Sequence, residues 1–209
     1  MADATRLEFN QYYHIFNRGN NGETIFRQER NYHFFLKLYT KHLNAVVDTF
    51  AYCLLPNHFH FLVRVKSEDD ILNNLRRIIK KRPIDLSSNK ENRTISPSQM
   101  FGTLFNSYSK AYNKVYQRTG SLFEKPFHRK LVKDLWYFQQ VVLYIHFNPQ
   151  KHGLIDDFCL WPFSSYSALV SNQPTRLARG EVMDSFGGLN FFVTLHSDYN
   201  PGKFEKEFN

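Results

Sequence analysis

The chain has 209 residues, enough for one domain of ordinary size with an appendage, and carries a formal net charge of +8. No run approaches the length of a membrane span. Two distant cysteines, Cys53 and Cys159, give no disulfide framework, and Met1–Arg6 shows no leader pattern, so a soluble cytoplasmic protein is expected. The charge suits a polyanion such as nucleic acid, and 21 Phe and 12 Tyr offer both core volume and rings that can stack on unpaired bases.

In chain order, 11–17 reads as a first strand, closed by the turn-rich Arg18-Gly19-Asn20-Asn21-Gly22. Residues 29–43 carry Tyr32, Phe35, Leu36, Tyr39 and Leu43 at helical spacing. Residues 46–55 form a second strand, and Pro56-Asn57 turns tightly into a third. Ser67 followed by Glu68-Asp69-Asp70 starts a helix running to about Lys81, which ends in Arg76, Arg77, Lys80, Lys81 and Arg82. A polar stretch over 82–96 reads as an insertion. Ser96-Pro97 opens a long helix to about Arg118, 121–133 a further strand or ribbon, and 135–147 a helix that stops before Asn148-Pro149. A short helix follows at 164–171, and the tail beyond Asp198 reads as disordered.

This order predicts an α+β domain, an antiparallel sheet with helices on one face and the other face open to a ligand. The third strand is the most informative segment. Its alternation puts His58, His60, Leu62 and Arg64 on one face and Phe59, Phe61, Val63 and Val65 on the other, which is apolar enough for a core. Two neutral imidazoles side by side can share a divalent metal, although a pair falls short of the usual three protein ligands. On the long helix, Phe105, Tyr108 and Tyr112 share a stripe. Such a stripe serves either as core or as a source of a tyrosine nucleophile beside a metal.

Several blocks resemble one family. Tyr13-His14-Ile15-Phe16-Asn17-Arg18-Gly19-Asn20-Asn21-Gly22 is similar to the opening of the single-tyrosine HUH transposases, and most of all to their REP-associated branch, linked to repetitive extragenic palindromes. Ala51 to His60 resembles the family's histidine strand. Tyr108-Ser109-Lys110-Ala111-Tyr112-Asn113, then Gly120, Leu122-Phe123 and Phe127, resembles its nucleophile helix and the segment after it. Tyr144-Ile145-His146-Phe147-Asn148-Pro149, Gly153-Leu154 and Trp161 to Tyr166 resemble its C-terminal signature.

The resemblance implies a ferredoxin-like (RNA-recognition-like) sheet with the nucleophile helix packed near the histidine strand. It implies that His58 and His60 bind Mg²⁺ or Mn²⁺ and that Tyr108 attacks a phosphodiester of single-stranded, hairpin-bearing DNA, leaving a 5′-phosphotyrosine and a free 3′-hydroxyl. Related transposases supply a third ligand one helical turn after the tyrosine. Here that residue is the phenol Tyr112, so the oxygen donor to consider is Asn113, rotated by about 100°. Arg18, Arg64, Lys125, Arg129 and Lys130 are the candidate DNA contacts, each weighed against a solvated surface charge.

The implied organisation is a transposase domain over 1–170 with a C-terminal extension over 171–209, acting as a monomer or homodimer. The alternative is a domesticated, non-cutting module that binds palindromic DNA. A two-histidine phosphoesterase lacks its His-x-Thr/Ser pair here, and a zinc hydrolase lacks His-Glu-x-x-His.

Overall fold

The computed structural model describes residues 6–80 and 96–200. All of the expected polar insertion except Ser96 lies outside the described residues, as do Lys81, Arg82 and most of the tail beyond Asp198. The elements are β1 (Tyr12–Arg18), α1 (Glu29–Leu43), β2 (Val47–Leu54), β3 (His58–Val65), α2 (Glu68–Lys80), α3 (Pro97–Val115), β4 (His128–Val132), α4 (Leu135–Lys151), α5 (Tyr166–Val170), α6 (Arg179–Phe186) and α7 (Leu189–Ser197).

Local chemistry fixes the helix starts. Asn31 Oδ1 accepts from the backbone N–H groups of Arg27 and Gln28, both at 3.0 Å, which ties down the entry to α1. Ser96 caps α3 with Pro97 in its first turn, and Asp134 Oδ1 accepts from Tyr137 N at 2.7 Å to cap α4. The expected stop of α4 before Asn148-Pro149 is corrected. The helix runs one turn further with Pro149 inside it, and both residues are buried. Asn148 Nδ2 donates to the Tyr144 carbonyl at 2.9 Å, a local bond that supports the turn Pro149 would otherwise loosen. The strand expected over 121–133 shortens to five residues, beginning after Pro126, which has no N–H to give a ladder.

The sheet has the order β2-β3-β1-β4, antiparallel throughout. With α1 and α3 as its crossovers, this is the ferredoxin-like α+β arrangement. One face packs Tyr13, Ile15, Phe59, Phe61 and Val63 against Phe35 and Leu43 of α1 and Phe101, Leu104 and Tyr108 of α3. The expectation of helices on one face only is corrected. A second core joins Ala51, Cys53 and Leu62 to Val141, Val142 and Ile145 of α4 and to Val182, Phe186 and Phe192 of α6 and α7. The reason lies in Phe50, Ala51 and Cys53 of β2 and Leu62 of β3, an apolar patch on the second face that needs cover there as well. Because α4 lies over β2 and β3, the second face stays open only toward β1 and β4.

Candidate active site

The open part of the second face is a cleft of about 740 Å³, lined by His58, His60, Phe16, Arg18, Lys130 and Tyr144 among others. The strands set its floor. In the β1–β3 register Phe16 faces His60 and Arg18 faces His58, and in the β1–β4 register Phe16 faces His128 and His14 faces Lys130. Period-two alternation therefore brings every one of these side chains to the cleft face.

The two histidines are held by partners that fix their ring orientation. His58 Nδ1 donates to Asn57 Oδ1 at 2.7 Å; the amide oxygen can only accept, so the Nε2 of His58 is left with its lone pair. His60 Nδ1 lies 2.9 Å from His14 Nε2, and His60 Nε2 is buried without a hydrogen-bond partner. Burial pushes the His58 pKa down to about 4, helped by His152, against the opposing effect of Asn148. Burial and then His14 hold His60 well below the ordinary histidine range. Both imidazoles are neutral at pH 7, the state a metal requires.

The tyrosine that faces them is Tyr144. Its ring centroid is 5.4 Å from that of His60 and 6.0 Å from that of His14, with Lys151 Nζ 5.3 Å from its own. Asn148 and His152 follow at successive steps of four along α4. The His152 ring lies 4.8 Å from His58, and Asn148 Oδ1 is buried without a hydrogen-bond partner.

Tyr108 is not brought to the histidines. It sits in the core on the opposite side of the sheet, where its hydroxyl donates to the Ile25 carbonyl at 2.6 Å and its ring meets Phe35 at 5.1 Å. Burial raises its pKa above the ordinary tyrosine value, away from the phenolate a nucleophile needs. Asn113 is equally remote: its Nδ2 donates to the Gly120 carbonyl at 2.9 Å and its Oδ1 accepts from Arg118 Nη1 at 3.0 Å. The expected pairing of Tyr108 and Asn113 with the histidines is therefore corrected. A stripe tells which side of a helix is apolar, and the connection between β3 and β4 then puts α3 beside α1 rather than over the histidines. The signal for Tyr144 was present as the i, i+4, i+8 spacing of Tyr144, Asn148 and His152, the last at the C-cap of the helix.

The candidate DNA contacts divide in the same way. Arg18 and Lys130 line the cleft, with Arg18 Nε 2.7 Å from Glu124 Oε1. Lys125 is exposed on the approach to β4. Arg129 points to the other face, its guanidinium 3.9 Å from the Phe127 ring centroid and Nη1 3.0 Å from Ser98 Oγ. Arg64 shares the histidine face but lies at the far end of β3, paired with both Asp48 and Glu181 at 2.8 Å.

Fold and site together define a ferredoxin-like α+β protein whose sheet presents a His-x-His pair to a helix-borne tyrosine. Comparison with known proteins points the same way. The chain is 28% identical over 121 residues to a curated Haemophilus influenzae protein named as a REP-associated tyrosine transposase, a match spanning 57% of this chain and 58% of that one. A solved structure of a REP-associated tyrosine transposase bound to a REP hairpin superposes with a TM-score of 0.54 at 17% identity, covering 83% of this chain and 89% of that one. No protein-family model matches. The two likenesses bear out the resemblance to REP-associated tyrosine transposases carried by the sequence motifs, the second as a shared fold. Among the described residues no helix is long and apolar enough to cross a membrane.

Proposed function

We infer that the chain is a hairpin-DNA-binding tyrosine transposase with Tyr144 as its nucleophile. The observation that carries this reading is the shared cleft of Tyr144, His58 and His60, with Tyr108 shut away behind the sheet. The Tyr144 hydroxyl loses its proton to solvent as its oxygen attacks a phosphodiester, the bond from phosphorus to the 3′-oxygen breaks, and that oxygen takes up a proton from solvent and leaves as a 3′-hydroxyl. The phosphate stays on the tyrosine as a 5′-phosphotyrosine. A second 3′-hydroxyl reverses the step and joins strands with no nucleotide cofactor. Arg18 and Lys130 bind the phosphate backbone along the cleft floor.

Among the described residues no three His, Cys, Asp or Glu side chains are placed to hold a metal ion together, so a cation needs a donor of another kind. The residues fit one. His60 Nε2 and Asn148 Oδ1 are buried and unpartnered, and His58 Nε2 offers a lone pair, which makes an N,N,O set better suited to Mn²⁺ than to Mg²⁺. When bound there, a divalent cation polarises the phosphate and stabilises the charge of the transition state.

The test uses hairpin oligonucleotides labelled at either end, with Mn²⁺. A 5′-phosphotyrosine carries the downstream fragment, so the 3′ label should migrate with the protein on a denaturing gel and the 5′ label should leave on a shorter strand. EDTA should abolish both. Salt-sensitive hairpin binding with no adduct would replace this reading with that of a non-cutting palindrome-binding module.

A further inference from the structure

Phe16 is a half-buried ring that belongs to neither hydrophobic core. It is instead the middle of a row of three rings laid across β3, β1 and β4. The His60 and Phe16 centroids are 5.7 Å apart with planes 28° apart, and Phe16 and His128 are 4.9 Å apart with planes 11° apart. The strand register produces the row, since Phe16 is the cross-strand partner of both histidines. One end is the buried His60. The other is His128, whose side chain is 51% exposed on a strand with no further strand beside it among the described residues. Cations flank the row: Lys130 Nζ lies 5.8 Å from the Phe16 ring centroid, and Arg18 stands two residues along β1.

We propose that Phe16 and His128 form a stacking platform for one unpaired nucleobase next to the phosphate that Tyr144 attacks, with Lys130 holding the adjoining backbone. The proposal rests on the transposase reading and deepens it. A near-parallel stack that ends in an exposed ring is completed by one more flat π-system, and every base supplies a π-face. The platform fixes the strand's register against Tyr144 without reading sequence. Positioning of this kind matters because a small displacement of the reacting phosphate costs much of the rate.

The test is an abasic scan read by binding, so that it does not depend on cleavage. The probe is a fluorescent DNA hairpin with a single-stranded 5′ oligothymidine arm, titrated by anisotropy in EDTA at low salt, where backbone contacts suffice for binding. Removing the arm's bases one at a time should show one position at which the loss weakens binding about tenfold. In His128→Ala that penalty should fall below about twofold, and in His128→Tyr it should return. Retention of affinity for the bare hairpin by His128→Ala shows that the variant is folded. An unchanged penalty in His128→Ala, or no position-dependent penalty in the wild-type protein, overturns the platform. Failure of the wild-type protein to bind any hairpin overturns the transposase reading itself, and is distinguished by the bare-hairpin control.

Discussion

His14 Nε2 lies 2.9 Å from His60 Nδ1 in the buried floor of the cleft, and this contact orients the ring whose other nitrogen faces the site. Burial lowers the His14 pKa to about 3, followed by the effect of Lys130, so the partner is neutral and can accept a hydrogen bond from His60. On the proposed metal site, His14 is a positioning residue for His60, one strand away from it. His14→Leu should weaken Mn²⁺ binding by about 10–100-fold while leaving the circular dichroism spectrum intact, as loss of an outer-shell partner does elsewhere. Titration calorimetry checks this, and unchanged affinity would remove His14 from the site.

The two tyrosines should separate stability from chemistry. Tyr108→Phe leaves the Ile25 carbonyl without its donor in the core, which should cost about 1–3 kcal/mol in urea unfolding. The variant should still form the covalent adduct at the wild-type rate.

A second histidine cluster, built on the same helix as Tyr144 but bonded to α7 and Ser165, makes the fold acid-sensitive. His146 Nδ1 meets His196 Nε2 at 2.8 Å and His146 Nε2 meets Ser165 Oγ at 2.8 Å, tying α4 to α7 and to the start of α5. Burial holds His146 well below 6.5 and pushes His196 down to about 4. These bases bind fewer protons folded than unfolded. Stability is therefore full above the unfolded value of about 6.5 and is lost as the pH falls from there toward 4. His196 alone accounts for about 3 kcal/mol across that window. Urea unfolding should show a flat stability from pH 8 to about 7 and a steep decline toward 5. A decline that begins only below about pH 4, where carboxylates titrate, would contradict it.

The basic residues should differ in the salt dependence of DNA binding. Arg18→Ala and Lys130→Ala should each reduce the slope of log K against log salt by about one. Arg64→Ala should leave the slope unchanged, because Asp48 and Glu181 already occupy its guanidinium. Its effect should fall on stability instead, at up to about 1 kcal/mol for partly exposed pairs. Equal slopes for all three variants would mean that Arg64 also meets phosphate.

Much of this was legible in the sequence. Alternation along 58–65 placed the histidines side by side, and the helical spacing of Tyr32, Phe35, Tyr39 and Leu43 gave α1 its observed bounds. The placement of Tyr144 in the cleft was not, for a topological reason. Tyr108 and Tyr144 both stand on amphipathic or buried helices, and spacing does not say which face of the sheet a helix will cover. Pro149 hid the rest: read as a stop, it cut Asn148 and His152 away from the helix that brings them to the cleft. The pairing of Arg64 with Glu181 was also invisible, since it depends on α6 folding back over residues 117 positions earlier.

On the proposed function Tyr144, and not Tyr108, carries the DNA. The most direct measurement compares Tyr144→Phe with Tyr108→Phe in adduct formation on a 3′-labelled hairpin oligonucleotide with Mn²⁺, after both variants have been shown to bind the uncut hairpin. On this assignment Tyr144→Phe should give no adduct and Tyr108→Phe a wild-type yield. An adduct that survives in Tyr144→Phe and disappears in Tyr108→Phe would contradict it.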